Sequence, residues 1–555
     1  MRFVQMFLAG VPAEPDTLED YVDERKRQLH EHGGDLNESR GPHVRRYDPT
    51  HAGCRYLSQT HERRSSRRTT GLFLLLPLTV VISIQFVSVA KAVIVGAPSL
   101  SAESSRSLEL SPCKLSGVPQ AARCGVLEVP ENPNRPAGRQ LKIGVAVIPA
   151  TGGRSRPDPI VILMGGPGED AISAAEVYVK QFTTLRQDRD ILLVDQRGTG
   201  RSGALNCALF SAEEAAVSLR DVFPPAAVEK CEQNLSARAD LTQYTYDRFA
   251  NDLEQVRTAL GYRPLNLFGG SYGTRAAQVY LRMYPKSVRT VYMGSVVPLD
   301  AATPLPFAKT GQTALEKMFD ACAGDFACNA AFPNLREEFR QISARLSSGS
   351  VRVTVQGQTG TFPPDRGRVA EWFRAKLYRP RSSTALPWMI HRAFLGDWSP
   401  ISEGVLADAS DDSPFSFGLF FAITCSEDLP FIREGEVAAE TQGTFLGDYR
   451  VRQQQAACKF WPKAALPKDY REPIQSSVPT LFASGDTDGA TPLWYTEHVA
   501  KGFSHRLEVV LRGQGHTEWN ECIAKIYQKV VISGSVGGGG TSTCPLVPRP
   551  PFRVQ

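Results

Sequence analysis

The chain has 555 residues, 42% of them hydrophobic, enough to bury at least one large core and to suggest roughly two to four domains. Its net charge of +5 is diffuse, with no basic stripe interleaved with aromatic residues, and this excludes a nucleic-acid partner. Function must therefore be read from local motifs and their order.

Residues 1–70 mix acids and bases without a sustained apolar period. They read as a leader, disordered or not translated, and are set aside for fold reasoning. "RRSSRR" (63–68) stands just before "GLFLLLPLTVVISIQFVSVA" (71–90), a run without charge that ends in the small-x-small pattern Ala90-Lys91-Ala92. A basic flank, an apolar run and a cleavage pattern make residues 71–92 a signal peptide, with a retained signal-anchor as the rival. Either way the remainder is expected to be exported, periplasmic or extracellular, and to meet a membrane only through this segment if it stays uncleaved. Residues 93–112 are a polar, flexible lead-in. Of the eleven cysteines only Cys54 precedes the apolar run. The others pair by nearest neighbour as Cys113–Cys124, Cys207–Cys231, Cys322–Cys328, Cys425–Cys458 and Cys522–Cys544. Metal binding is the weaker reading, since there is no C-x-x-C and no histidine close to any pair.

Ordered structure is expected from the strand "LKIGVAVIP" (141–149), followed by "PIVILMGGPG" and "DILLVDQRGTGRSG", two apolar runs that end in glycines. A helix over 251–260 then separates them from a strand at 265–268 and a helix at 274–284, with a further strand at 288–299. Strands alternating with helices imply βαβ units and a mostly parallel sheet. From 301 to 476 this rhythm gives way to helical segments, proline and tryptophan, which reads as an insertion. Alternation returns with "VPTLFASGDTDGATP" and "HRLEVVLRGQGH", "NECIAKIYQKVV" supplies a last helix, and "GSVGGGGTSTCP" reads as a loose loop tied down by Cys544.

Between the strand at 265–268 and its helix lies Gly269-Gly270-Ser271-Tyr272-Gly273, the spacing G-x-S-x-G in the strand–turn–helix context of a nucleophile elbow. A serine hydroxyl needs a base within hydrogen-bond reach. Among the histidines beyond the apolar segment, His391 lies in the insertion, His498 in a helix and His505 at the start of a strand. His516 instead follows the strand "LEVVL" and a "GQG" turn, on a loop at the carboxyl edge of the sheet. The orienting acid is Asp486 or Asp488, both just after a buried strand; the other caps the next helix. The oxyanion donors are expected to be the backbone N–H of Tyr272 and that of Gly166 in "MGGPG". Gly198, Gly200 and Gly203 spell G-x-G-x-x-G, but Asp195-Gln196-Arg197 separates them from their strand and no helix start follows, so a dinucleotide site is a poor reading.

Taken in order, "MGGPG", "DQRGTGRSG", "GGSYGTR", "SGDTDGATP" and "GQGH" resemble the α/β-hydrolases grouped with proline iminopeptidases and secreted tripeptidyl aminopeptidases, including their TAP-like carboxyl-terminal region. The resemblance implies an α/β-hydrolase core in residues 113–300, a mainly helical cap or lid in 301–476 and a TAP-like second part of the core in 477–555. It implies Ser271 as nucleophile, His516 as base and, in its D-x-x-T-P context, Asp488 as the acid. Where the family opens its oxyanion motif with histidine, this chain has Met164, which puts the surroundings of the hole and substrate preference in doubt. The implied activity is hydrolysis of a peptide near its free amino end, tripeptidyl or prolyl in type, with no cofactor and no metal. A carboxylesterase of the same fold, acting on small esters, is the alternative, and a non-catalytic binding protein the second. An aminopeptidase needs a carboxylate for the substrate ammonium. Glu427, directly after the strand-like "FFAITC" and beside Cys425, is the expected anchor, ahead of the acidic run at 408–412.

Overall fold

The computed structural model describes residues 108–210, 218–354, 361–409 and 415–555. The leader, the apolar segment 71–92 and most of the lead-in lie outside the described residues.

One sheet organises the fold. Its strands are β1 (Ser111–Cys113), β2 (Ala122–Pro130), β3 (Gln140–Ile148), β4 (Arg156–Leu163), β5 (Arg189–Val194), β6 (Leu265–Gly270), β7 (Val288–Gly294), β8 (Thr480–Gly485), β9 (Arg506–Leu511) and β10 (Gly540–Cys544). In space they run β1-β2-β3-β5-β4-β6-β7-β8-β9-β10. The pairings from β1 through β3 to β5 are antiparallel, and those from β5 to β10 are parallel. β5 and β8 are buried at every residue, which is why their centres, 191–194 and 481–483, are apolar without alternation. Leu267 joins the core on one face of β6, with helices Tyr246–Ala259 and Gly273–Met283. Its neighbour Phe268 joins the core on the other face, stacked on Tyr292 at 4.4 Å, with helix Glu521–Ser533.

The order of winding places the site. The chain passes from β4 to β5 on one side and then returns to lay β6 on the other side of β4. Connections diverge at the carboxyl ends of β4 and β6, leaving a crevice there in open parallel sheets. "MGGPG" follows β4 and Ser271 follows β6.

Between β7 and β8 the described chain is mainly helical. Helices Phe307–Gly324, Arg366–Lys376, Leu386–Phe394 and Ser399–Ala409 meet around a core of their own that includes Met318, Phe319, Phe373, Ile390 and Val405. Helix Phe417–Glu427 differs, because Leu419, Phe421, Ile423 and Cys425 join the core of the sheet. It is apolar on all sides, the composition of a helix that is buried all round.

Three expectations need correction. "FFAITC" is part of this helix and not a strand, since a short apolar run has no periodicity to separate the two. The glycine-rich segment near the end contains β10, an edge strand paired in parallel with β9. β1 and β2 precede the first expected strand, and cysteine, glycine and proline had masked their pattern. The five nearest-neighbour cysteine pairs are the five disulfides of the structure. Among the described residues no helix is long and apolar enough to cross a membrane.

Cys522–Cys544 fastens β10 to helix Glu521–Ser533 across 22 positions of sequence. Closing such a loop stabilises a fold by about 3 kcal/mol. The double substitution Cys522→Ala, Cys544→Ala should lower the free energy of unfolding by about that amount in chemical denaturation, with the other four disulfides intact on peptide mapping.

Candidate functional site

The turn after β6 is built around small residues. A Cβ on Gly273 would overlap the carbonyl oxygen of Leu163, and one on Gly269 would come within 2.7 Å of the Gly273 oxygen. β4 and the head of helix Gly273–Met283 can therefore close on each other only with glycine at these places. Ser271 is held at φ 53°, a left-handed conformation that a non-glycine residue adopts at a cost. Three bonds fix it there: its N–H donates to Gly294 O at 3.0 Å, and its carbonyl accepts from Thr274 Oγ1 at 2.6 Å and from the Thr274 N–H at 2.9 Å. The loop after β4 lies against the serine, since a Cβ on Gly165 would stand 3.2 Å from Ser271 Cβ.

Ser271, His516 and Asp488 converge from three separate loops. Ser271 Oγ lies 3.0 Å from His516 Nε2, and His516 Nδ1 lies 2.9 Å from Asp488 Oδ2. With Nδ1–H donating to the carboxylate, Nε2 is left to accept from the serine hydroxyl. Asp488 is fully surrounded by donors. Its Oδ1 accepts the N–H groups of Ala490 and Thr491, both at 2.8 Å, and its Oδ2 accepts the hydroxyls of Ser295 at 2.9 Å and Thr491 at 2.8 Å. Burial alone would raise its pKa, but the imidazole and these hydrogen bonds outweigh it and hold the carboxyl below its ordinary value. The His516 backbone is gripped too, its N–H donating to Tyr378 O and its carbonyl accepting from Arg379 Nε, both at 2.7 Å.

The remaining candidates sort by position. Asp486 accepts the Gly513 N–H at 2.8 Å and so braces the turn before His516. His391 pairs with Glu338, His498 with Asp300 and His505 with the Ser477 carbonyl, all away from Ser271. Gly198, Gly200 and Gly203 form a tight turn with positive φ, and residues 204–210 that follow it are not helical.

A cavity of ≈ 190 Å³ opens over the serine, and Gly166, Ser271, Tyr272 and His516 all line it. Gly166 has φ 104°, a conformation open to glycine alone. Aromatic side chains dominate the walls, among them Phe223, Phe307, Tyr378, Phe415 and Phe420. Glu427 is not part of this wall. Its side chain is fully buried in the scaffold, Oε1 accepting the Tyr246 N–H at 3.0 Å and Oε2 the Tyr470 hydroxyl. The anchor expected there is thus sealed off, because the segment is a buried helix end and not a strand edge facing the cavity. Among the described residues, the carboxylates that line the cavity are Glu371 and Asp408.

Sequence reasoning missed two groups. Glu371, Arg374 and Arg450 bring charge into the cavity from two helices of the insertion, where no local motif marks them. Glu169, the residue immediately after "MGGPG" (164–168), would have been visible as an acid directly after the loop. It borders a second, smaller cavity of ≈ 80 Å³ that also touches Ser271 and Met164. Burial pushes its pKa up to about 7, against the pull of Arg379 and of a hydrogen bond from the Gly165 N–H. No group of three or more His, Cys, Asp and Glu side chains among the described residues is placed to hold a metal ion.

Residues 158–349 match the family described as alpha/beta hydrolase fold, and residues 443–543 match that described as TAP-like protein. With the strand order above, the chain has the α/β-hydrolase fold and is a hydrolytic enzyme, with a TAP-like carboxyl-terminal part. It is 25% identical over 536 residues to the serine protease Hip1 of Mycobacterium tuberculosis, covering 86% of this chain and 99% of the relative. It is 31% identical over 195 residues to the tripeptidyl aminopeptidase of Streptomyces lividans, covering 32% of this chain and 36% of the relative. Similarity to the proline iminopeptidase of Aeromonas sobria is 27% over 199 residues, 35% of this chain and 40% of that one.

The sealed Glu427 makes stability depend on pH. Burial raises its pKa to about 8, only partly offset by the Tyr470 hydrogen bond and Arg275. Between the ordinary carboxyl range and about pH 8 the folded protein holds a proton that the unfolded chain has released, so stability falls as pH rises through that window. Glu427→Gln, which mimics the neutral acid, should gain stability relative to the parent on the order of 3 kcal/mol between pH 5 and pH 8, read by urea denaturation at each pH. A pH-independent difference would contradict this account.

Proposed function

We propose that the chain is an exported serine peptidase that removes short fragments from the free amino end of peptides. The observation that carries this reading is the relay Ser271 Oγ, His516 Nε2, His516 Nδ1, Asp488 Oδ2, at 3.0 and 2.9 Å, at the floor of a walled cavity. In this reading Ser271 attacks the scissile carbonyl while His516 takes its proton, and Asp488 stabilises the imidazolium that forms. The backbone N–H groups of Tyr272 and Gly166 receive the negative charge that develops on the carbonyl oxygen. His516 then gives the proton to the departing amine, and water releases the acyl fragment by the same steps in reverse.

The relatives named for tripeptidyl aminopeptidase and proline iminopeptidase activity support a peptide substrate. The insertion supports a short acyl fragment, because its side chains Trp372, Phe417 and Phe420 wall the cavity above Ser271. The substrate ammonium requires an acid there, and Glu427 is out of reach. Glu371 is held on both oxygens by the Arg374 fork, at 2.6 and 2.9 Å, whereas Asp408 is met by one ammonium, that of Lys376 at 2.9 and 3.2 Å, and is the carboxylate that a substrate amine can share. Export is supported by the five disulfides, which persist in oxidising compartments, and by the signal-like segment 71–92. Sequencing of the exported protein from its amino end should begin at Val93.

A fluorophosphonate probe should label the protein at Ser271, and Ser271→Ala should abolish both labelling and turnover. Asp488→Asn and His516→Ala should each lower kcat by about three to five orders of magnitude, Asp486→Asn far less. Peptidyl-coumarins with a free amino end should be cleaved well ahead of their N-acetylated forms. Faster turnover of simple acyl esters, with no difference between free and acetylated peptides, would move the assignment to an esterase.

A further inference from the structure

We propose that the cavity over Ser271 receives a substrate carboxylate at Arg450, so that the enzyme selects peptides with an acidic residue within the fragment it removes. This rests on the peptidase reading for the identity of the substrate, but the carboxylate site itself does not.

The argument starts from the charges in the wall. The guanidinium groups of Arg368, Arg374 and Arg450 line the cavity, against the carboxylates of Glu371 and Asp408. Asp408 is matched by Lys376 at 2.9 Å, a cation from outside the lining. Glu371 spends both oxygens on Arg374 and stands 3.5 Å from Arg450 Nη1. Arg368 donates to carbonyl oxygens, those of Ser218 and Val405, and among the described residues it has no ion pair with a carboxylate. The described wall therefore carries more positive than negative charge, in a space where water screens it poorly.

Hydrogen bonding points the same way. Arg450 Nε is buried without a partner, and so is the indole N–H of Trp372 in the same wall. Among the described residues the Arg450 side chain makes no hydrogen bond and meets a carboxylate only at the 3.5 Å of Glu371, so a guanidinium beside the cavity calls for an acceptor that the protein does not supply. A carboxylate has two acceptor oxygens and the charge to match a guanidinium. Arg450 is also held ready: its guanidinium stands 4.6 Å from the centre of the Phe223 ring and 5.8 Å from that of Phe420. With its side chain only 12% exposed, it cannot swing out to bulk water without leaving both rings.

The route from the serine sets the position of the acid. Phe420 lies 6.1 Å from Phe415, whose ring abuts Gly166 and Gly168 in the oxyanion loop. On the opposite wall Arg374 Nη1 donates to the Tyr378 hydroxyl at 2.7 Å, and the Tyr378 ring lies 5.2 Å from that of His516. Arg450 is thus two rings away from the loop beside the scissile carbonyl. That span, on the order of 10 Å, suits an acidic side chain on one of the last three residues before the cleaved bond.

The test compares kcat/KM for peptidyl-coumarins that differ only by Glu against Gln at each of those three positions. At one of them the parent enzyme should prefer Glu by about tenfold or more, chiefly through KM. Arg450→Met keeps the stem between the rings but removes the charge, and should bring the ratio to near one, while Arg450→Lys should restore part of it. A structural role for Arg450 would lower turnover of both peptides alike and leave the ratio unchanged. No preference in the parent at any position, or a preference that survives Arg450→Met, would overturn the proposal. If Arg450→Met does not fold, as judged by circular dichroism, inhibition of the parent by glutarate but not by glutaramide decides instead. The p-nitrophenyl monoester of glutaric acid against p-nitrophenyl pentanoate separates the two readings: selective turnover of the anionic ester with no peptide cleaved would keep the carboxylate site and remove the peptidase.

Discussion

The close approach of Gly273 to the Leu163 carbonyl is the contact from which the rest of the site follows. It lets the head of helix Gly273–Met283 press against the end of β4, where the winding of the sheet reverses. Ser271 is forced to φ 53° by the same turn, and the loop carrying Gly165 and Gly166 is brought against it from β4. A single methyl group at Gly273 would push the elbow away from the end of β4, and with it the serine from the loop that carries Gly166. The strain at Ser271 persists because bonds to Gly294 and from Thr274 hold it from both sides.

The insertion is tied into this turn and is not merely laid over it. Asp428, next to the end of helix Phe417–Glu427, accepts the Tyr272 hydroxyl at 3.2 Å and stands 2.7 Å from Arg275 Nη1. Arg275 in turn donates to the carbonyl oxygens of Pro298 at 3.1 Å and Ala301 at 2.6 Å, where the insertion departs from the sheet. Tyr272 and Arg275, on either side of Gly273 and Thr274, therefore hold both the entry to the insertion and the helix that roofs the cavity. The last residues of the chain reach the insertion as well, with Phe552 in its core and Arg553 over the Trp388 ring. Packing of this kind favours a roof of fixed position, so that selection rests with the side chains lining it.

Local pattern and long-range geometry were unequally legible in the sequence. β6, its helix, β9 and the last helix could be read because each is an uninterrupted apolar or amphipathic run bounded by glycine or proline. Ser271 and His516 could be read because the turns that present them are local. Asp486 and Asp488 could not be separated by pattern, because what distinguishes them is which one meets the imidazole, a contact 28 residues away. Helix Phe417–Glu427 was misread because an apolar run buried on all sides has no polar face to reveal its period. Arg450 and Glu371 left no local sign at all, since they meet only after two helices of the insertion have packed.

Three buried carboxyls show how the fold sets charge by counting donors. Asp488, Glu427 and Glu169 are all withdrawn from water, and burial is the largest influence on each. Asp488 receives two backbone N–H groups, two hydroxyls and the imidazole, and stays ionised. Glu427 receives one N–H and one phenol, and its pKa rises to about 8. Glu169, with the charge of Arg379 and the Gly165 N–H, comes to about 7. Burial alone therefore does not decide whether a carboxyl can serve as a fixed anion; the donors gathered around it do. By that measure Asp488 is the one of the three equipped to stabilise an imidazolium throughout the neutral range, while Glu427 serves the scaffold as a largely neutral group. Glu169 falls between them, bonded to the loop that carries Gly166, with burial raising its pKa to about 7, so that the loop nearest the serine carries a carboxyl that is not a fixed anion.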